Sequence, residues 1–265
     1  SPPVYGVITA VSIHSLRALC LRDFQIDIGQ VAFFKGLMEE AGLSDRQAEQ
    51  LRVYVEEKNM LAIELMLRRE KISEKVVQRL MQLPALYGGP ETLDEAQRIT
   101  RHPLCMAALR NIQEVLALLR EEGLGEYVSV DLGMVHAIHY YSGIIFRGIT
   151  GHLGKPLLSG GRYDGLPADF GRPMSATGFA VTLRQLLEAL ERQGMMVETP
   201  RADVLLGYAP GSRVQALAEA ERLRAQGRTV EYCYLNTRQA LADVRAEKNI
   251  ARAVFVDAGI CQEVE

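Results

Sequence analysis

Between residues 44 and 121 the sequence keeps a helical period almost throughout, and on both sides it changes to the period of a strand. Residues 24–28, Phe-Gln-Ile-Asp-Ile, alternate strictly, with Phe24, Ile26 and Ile28 on one face of a half-buried strand. Residues 127–132 and 138–146 are rich in β-branched and aromatic side chains and are divided by a turn at Gly133. A long helical block enclosed by strands excludes both a pure bundle and a sandwich. It predicts a sheet with helices laid against it, hence an α+β fold.

Local signals fix the elements. Residues 1–6 read as an extended lead-in to a helix over 7–19. A short helix over 31–40 stops at Gly42. Ser44, with Gln47 three residues on, forms a capping box. Leu61, Leu65 and Ile72 predict one apolar stripe, and Val76, Val77, Leu80 and Met81 another. Residues 86–90 read as a turn. The helix after Pro103 carries Leu104, Ala108, Ile112, Val115 and Leu119 on one side and ends at Gly123 and Gly125. Glycines 148, 151 and 154 suggest a loop. A helix over 183–193 turns Leu183, Leu186, Leu187 and Leu190 to the core and its arginines to solvent.

Glu198-Thr199-Pro200 marks a junction, dividing the chain into 1–200 and 201–265. Beyond it strands at 202–208, 229–234 and 253–256 alternate with an amphipathic helix at 211–226, carrying Val214, Leu217, Ala218, Ala220 and Leu223, and a helix at 237–247, the order of a small α/β domain with parallel strands.

The chemistry that a cluster of cysteines or histidines would signal is not written here. Cys20, Cys105, Cys233 and Cys261 form no Cys-x-x-Cys pair, which argues against a zinc ribbon or redox motif and fits a reducing cytoplasm. His136 and His139 are spaced to point to opposite faces of a strand, so no metal is expected. Ser159-Gly160-Gly161 lacks the Gly-Lys-Ser/Thr ending of a phosphate loop, and no cofactor is expected. A net charge of -3 argues against a broad nucleic-acid footprint. No apolar run reaches membrane-spanning length, and no signal peptide is visible.

Four segments, in this order, carry one resemblance: DFQIDIGQVAFFKGL at 23–37, HAIHYYSGIIF at 136–146, SGGRYDGL at 159–166 and GFAVTLRQLL at 178–187. Together they resemble histidyl-tRNA synthetase-like proteins. The second is similar to the motif R-G-L-D-Y-Y-T-G-x-x-F, the third matches the second histidine motif nearly letter for letter, and the fourth stands where G-F-A-x-G-x-E-R-L-L is usual. The resemblance implies a partial class II aminoacyl-tRNA synthetase-like antiparallel sheet with a helical insertion at about 44–122, and a C-terminal α/β domain like an anticodon-binding domain. In that family the first two motifs precede the region where this sequence begins, so the resemblance implies that this chain lacks the N-terminal part.

The departures from the motifs are chemical. His136 and Gln185 stand where the family has arginines that meet ATP phosphates, Arg184 replaces an acid, Thr182 a glycine and His139 an aspartate. Losing two charge-assisted phosphate contacts costs roughly 3–6 kcal/mol, so the resemblance implies no catalytic residues and no aminoacylation. What remains matches a histidine pocket: Tyr140, Tyr141, Gly160, Gly161, Arg162 and Tyr163, with His136 at its edge. A synthetase-like chain that keeps this pocket and loses its phosphate arginines resembles the regulatory subunits of ATP phosphoribosyltransferase. That resemblance implies a cytoplasmic, non-catalytic protein of histidine biosynthesis, assembled with the short-form catalytic subunit. L-histidine would be its allosteric effector. A divergent synthetase fragment and a synthetase-like RNA-binding paralogue stand as the alternatives.

Overall fold

A computed structural model describes residues 2–135, 140–151, 153–195 and 200–264. The chain divides into two compact units, Ser1–Met196 and Val197–Glu265.

The first unit begins with helix α1 (Pro2–Ala18), so the expected extended lead-in is in fact helical. The proline at its start is tolerated because the first helical N–H has no intrahelical partner to lose. Strand β1 (Gln25–Gln30) follows, then α2 (Val31–Glu40), α3 (Asp45–Glu56), α4 (Met60–Arg69) and α5 (Glu74–Leu80). Next come the two-residue strand β2 (Tyr87–Gly88), α6 (Thr92–Ile99) and α7 (Pro103–Glu121). The sheet then continues through β3 (Val128–Asp131), β4 (Ile144–Ile149) and β5 (Leu158–Arg162). Helix α8 (Gly165–Asp169), β6 (Thr177–Val181) and α9 (Leu183–Arg192) complete the unit.

The strand order is β2-β3-β1-β4-β5-β6. It is mixed where an antiparallel sheet was expected: β1 and β3 run parallel, because the helical insertion between them carries the chain back over the sheet. The insertion behaves as its caps dictate. Ser44 and Gln47 close their capping box, and Gly42 and Gly123 take positive φ at helix ends. The stripes of α5 and α7 enter the core at Val77, Leu80, Ala108, Ile112, Val115 and Leu119, but the apolar face of α4 is not the expected one. Leu61 and Leu65 stand 66% and 59% exposed, while Ile63, Met66 and Leu67 are buried. In α9 the expectation divides likewise: Leu186 and Leu190 enter the core, and Leu183 and Leu187 are exposed. Residues 86–90 supply β2 in addition to a turn, and Gly148 lies inside β4. Strand β4 starts only at Ile144, with Tyr140 to Gly143 in a turn and bend before it.

The second unit holds β7 (Val204–Tyr208), α10 (Arg213–Ala225), β8 (Val230–Tyr232), α11 (Arg238–Lys248), β9 (Arg252–Asp257) and β10 (Ile260–Val264). Its sheet order is β10-β9-β7-β8; β7 is parallel to β8 and β9, and the unexpected β10 adds an antiparallel edge. Helix α10 buries Ala216, Ala220 and Leu223 but exposes Val214 and Leu217, both expected on its apolar side. Thr237 caps α11 through the Ala240 N–H. Among the described residues no helix is long and apolar enough to cross a membrane.

Candidate functional site

The large sheet has two unlike faces. Ile26, Ile28, Val130, Phe146 and Leu158 point to one, which is fully buried in the core with α7 against β1 and α1 against β6. On the other face the ladder aligns a row across five strands: Ser129, Asp27, Arg147, Ser159 and Ala180. The next row is Gly29, Ile145, Gly161 and Gly178. Such a floor of small and polar side chains admits close approach by a ligand's polar atoms.

Three tyrosines stand over one end of that floor. Tyr141 packs on Gly161, where an added Cβ would lie 2.8 Å from its ring and 2.7 Å from the Ile144 carbonyl oxygen. The Tyr163 hydroxyl covers Gly178 in the same way, at 2.8 Å. Tyr140 bridges them, edge-on to Tyr141 at 4.8 Å and stacked on Tyr163 at 5.3 Å between ring centroids. Burial pushes the Tyr141 phenol up, reinforced by the neighbouring Tyr140 and Tyr163, so it stays a neutral donor and acceptor. Tyr140 is 46% exposed, leaving an aromatic wall open to solvent.

The residues expected in a histidine pocket are therefore sorted by strand geometry. Tyr140, Tyr141, Gly161 and Tyr163 share the polar face. Gly160 faces the core instead, with an added Cβ meeting Phe179 Cβ at 2.6 Å and Phe146 Cζ at 2.7 Å. Arg162 has the same parity as Gly160 and leaves the strand on that opposite side. It is held by Asp164 at 2.5 Å. His136 and His139 lie outside the described residues.

Sequence reasoning missed the charged centre of the floor. Asp27 is fully buried, against the expectation of a half-buried strand. Its Oδ1 accepts from Ser129 Oγ at 2.5 Å and its Oδ2 from Arg147 Nε at 3.1 Å. Arg147 also donates to Asp131 Oδ2 at 2.9 Å, and the Gly133 N–H to Asp131 Oδ1 at 3.0 Å. Burial raises the Asp131 carboxyl, opposed by Arg147 and reinforced by Asp27. Tyr87 on the edge strand β2 is raised by burial and then by the Asp27 charge. One signal was legible: Asp27 sits at the off-phase of an apolar alternation in a strand that proved central.

Among the described residues no three His, Cys, Asp or Glu side chains converge in a way that holds a metal. The third-motif segment forms β6 and the start of α9, where Thr182 is the N-cap residue but makes no side-chain cap bond. Gln185, one turn inside, has a buried Oε1 without a hydrogen-bond partner among the described residues, and Arg184 is exposed.

Comparison with known proteins places this arrangement. The family model described as histidyl-tRNA synthetase matches residues 7–186. The ATP phosphoribosyltransferase regulatory subunit of Acetivibrio thermocellus is 41% identical over 231 residues, 87% of this chain and 55% of that protein. The chain thus spans about half the length of that relative. Among solved structures, an ATP phosphoribosyltransferase regulatory subunit/histidyl-tRNA synthetase from Bacillus halodurans superposes with a TM-score of 0.75 at 29% identity, over 97% of this chain and 66% of that one. The ATP phosphoribosyl transferase (HisG:HisZ) complex from Thermotoga maritima shares the fold, with a TM-score of 0.54 at 17% identity over 68% of this chain and 61% of that one.

Proposed function

The chain belongs to the histidyl-tRNA synthetase family, and we propose that it acts as a non-catalytic regulatory subunit of ATP phosphoribosyltransferase that binds L-histidine on the polar face of its large sheet. One observation carries this reading. The floor holds Tyr140, Tyr141 and Tyr163 over Gly161 and Gly178, while the first turn of α9, where the resemblance places a phosphate arginine, carries neutral Gln185 with its amide oxygen buried. A neutral amide supplies no counter-charge to phosphate oxygens, so the face suits a small amino acid and not its activation by ATP. A flat imidazole and a tyrosine wall match in shape and in hydrogen-bonding capacity.

The names of the relatives point the same way, and the complex from Thermotoga maritima supports assembly with a catalytic subunit. The sensing role follows from linkage. If histidine favours one quaternary state of the complex, the catalytic partner responds through the same coupling free energy.

The test is reconstitution. The full-length protein is mixed with the short-form catalytic subunit, and phosphoribosyl-ATP formation is followed with and without histidine. Activity restored only in the mixture and suppressed by histidine is the expected result. Histidine-dependent pyrophosphate exchange by the protein alone, without activation of the partner, would return it to the synthetases.

A further inference from the structure

Arg162 and Tyr163 are consecutive, so their side chains leave the chain toward opposite faces of the sheet. Tyr163 joins the tyrosine wall, and Arg162 turns toward α1. There the guanidinium forks three ways: Nε to Asp164 at 2.5 Å, one terminal nitrogen to the hydroxyl of Tyr5, and the other to Ser175 Oγ at 3.3 Å. It also lies over the Tyr5 ring, 5.5 Å from the centroid. Tyr5 is only 4% exposed, so this contact is built into the packing of α1. Gly143 makes room for the arginine stem: a Cβ there would stand 2.9 Å from Arg162 Cδ.

Asp164 and Ser175 lie at the two roots of the strap that connects β5 to β6. The roots are also tied to each other. The Tyr163 N–H donates to the Ala176 carbonyl at 2.9 Å, and the Ala176 N–H to Asp164 Oδ1 at 3.0 Å. Asp164 N–H reaches back to Ser142 Oγ at 3.1 Å, beside Tyr141. Between the roots the strap runs through α8 and a left-handed turn at Gly171, with Phe170 and Met174 81% and 61% exposed. Its position is therefore set at the roots, where Arg162 gathers α1, both ends of the strap and the backbone of Tyr163.

We propose that Tyr5 is a positioning residue for the ligand face: through Arg162 it fixes the strap and the Tyr163 ring, coupling α1 to the tyrosine wall across the sheet. The affinity consequence rests on the histidine reading above; the coupling of Tyr5 to the strap does not. Tyr5→Phe keeps the ring and its cation–π contact and removes only the hydroxyl acceptor.

The experiment is made on the full-length protein, with amide exchange resolved to peptides spanning 164–176 and histidine affinity by titration calorimetry. Tyr5→Phe should speed exchange in 164–176 while leaving β1 and β4 unchanged, and weaken histidine binding by roughly three- to tenfold, part of the worth of a hydrogen bond to a charged group. Asp164→Asn should do the same, and the double variant should lose less than the product of the single losses, because both act through one guanidinium. Unchanged exchange in 164–176, a loss of protection spread evenly over the unit, or strictly multiplicative losses would each overturn the proposal. If the wild-type protein binds no histidine, the functional reading fails, and the exchange of 164–176 still decides the role of Tyr5.

Discussion

Replacing Arg147 by Met should be among the most damaging single changes in the large sheet. The side chain spans two carboxylates, Asp27 Oδ2 at 3.1 Å and Asp131 Oδ2 at 2.9 Å, of which the first is fully buried and the second nearly so. Methionine keeps much of the stem's packing and removes both charge-assisted hydrogen bonds. Each is worth about 1.5–3 kcal/mol. Stranding a buried charge by deleting its partner typically costs about 3–5 kcal/mol. The two routes agree, and Arg147 is 31% exposed, so solvent screening places the expectation near the lower end, about 3 kcal/mol. Urea titration monitored by amide exchange in β1 and β4 reads the first unit, which matters because the chain has a second compact unit and a single global transition is not assured. The combined variant Arg147→Met, Asp27→Asn, Asp131→Asn should recover most of the loss, since it removes the stranded charges with their partner. A cost below about 1 kcal/mol for Arg147→Met, or no recovery in the combined variant, would refute the reasoning that this cluster is a charge-matched unit.

Three further outcomes follow from the same geometry. Gly161→Ala should cost about 1–3 kcal/mol and abolish histidine binding by calorimetry, because the Ile144 carbonyl 2.7 Å from the new Cβ belongs to a paired strand and cannot retreat. The raised Asp131 carboxyl makes a stability contribution present below its unfolded pKa and lost as pH rises through the higher folded one. Urea midpoints of Asp131→Asn should therefore improve relative to wild type as pH rises through and above the ordinary carboxylate range, and a gap that narrows would sink this assignment. Thiol labelling followed by peptide mapping should modify Cys20 and Cys261 first. Cys105 is buried and pushed up to about 12, chiefly by desolvation, so it should react only on unfolding; early labelling there would contradict its placement against the Phe33 carbonyl.

What the sequence disclosed of the fold follows from which signals are local. Caps and stops were legible because one or two residues settle each: Ser44 with Gln47, and the glycines at 42 and 123. The stripes on α4, α9 and α10 were assigned only in part because periodicity locates several apolar arcs and cannot say which one meets a neighbour. Leu61, Leu65, Leu183, Leu187 and Val214 satisfy a helical pattern and still face outward. Parallel pairing of β1 with β3 was invisible for a related reason. It is created by the path of about a hundred intervening residues, not by anything in either strand.

The site shows the same limit from the other side. Motif resemblance delivers residues in a run, but a strand hands successive residues to opposite faces. Gly160 and Gly161 are adjacent glycines in one motif, yet the first exists so that Phe146 and Phe179 can close over it in the core and the second so that Tyr141 can lie on the polar face. Arg162 and Tyr163 divide likewise. The polar and charged side chains of the floor, Ser129, Asp27, Arg147 and Ser159, come from four strands; Ser129 and Arg147 lie outside the four matched segments and Ser159 at the edge of one. Only the register of the ladder joins them. A buried acid in an apolar strand is costly unless a partner waits across the sheet, so Asp27 already demanded an Arg147 somewhere; that demand, and not motif membership, is the physical signal by which such a centre can be sought in other sequences.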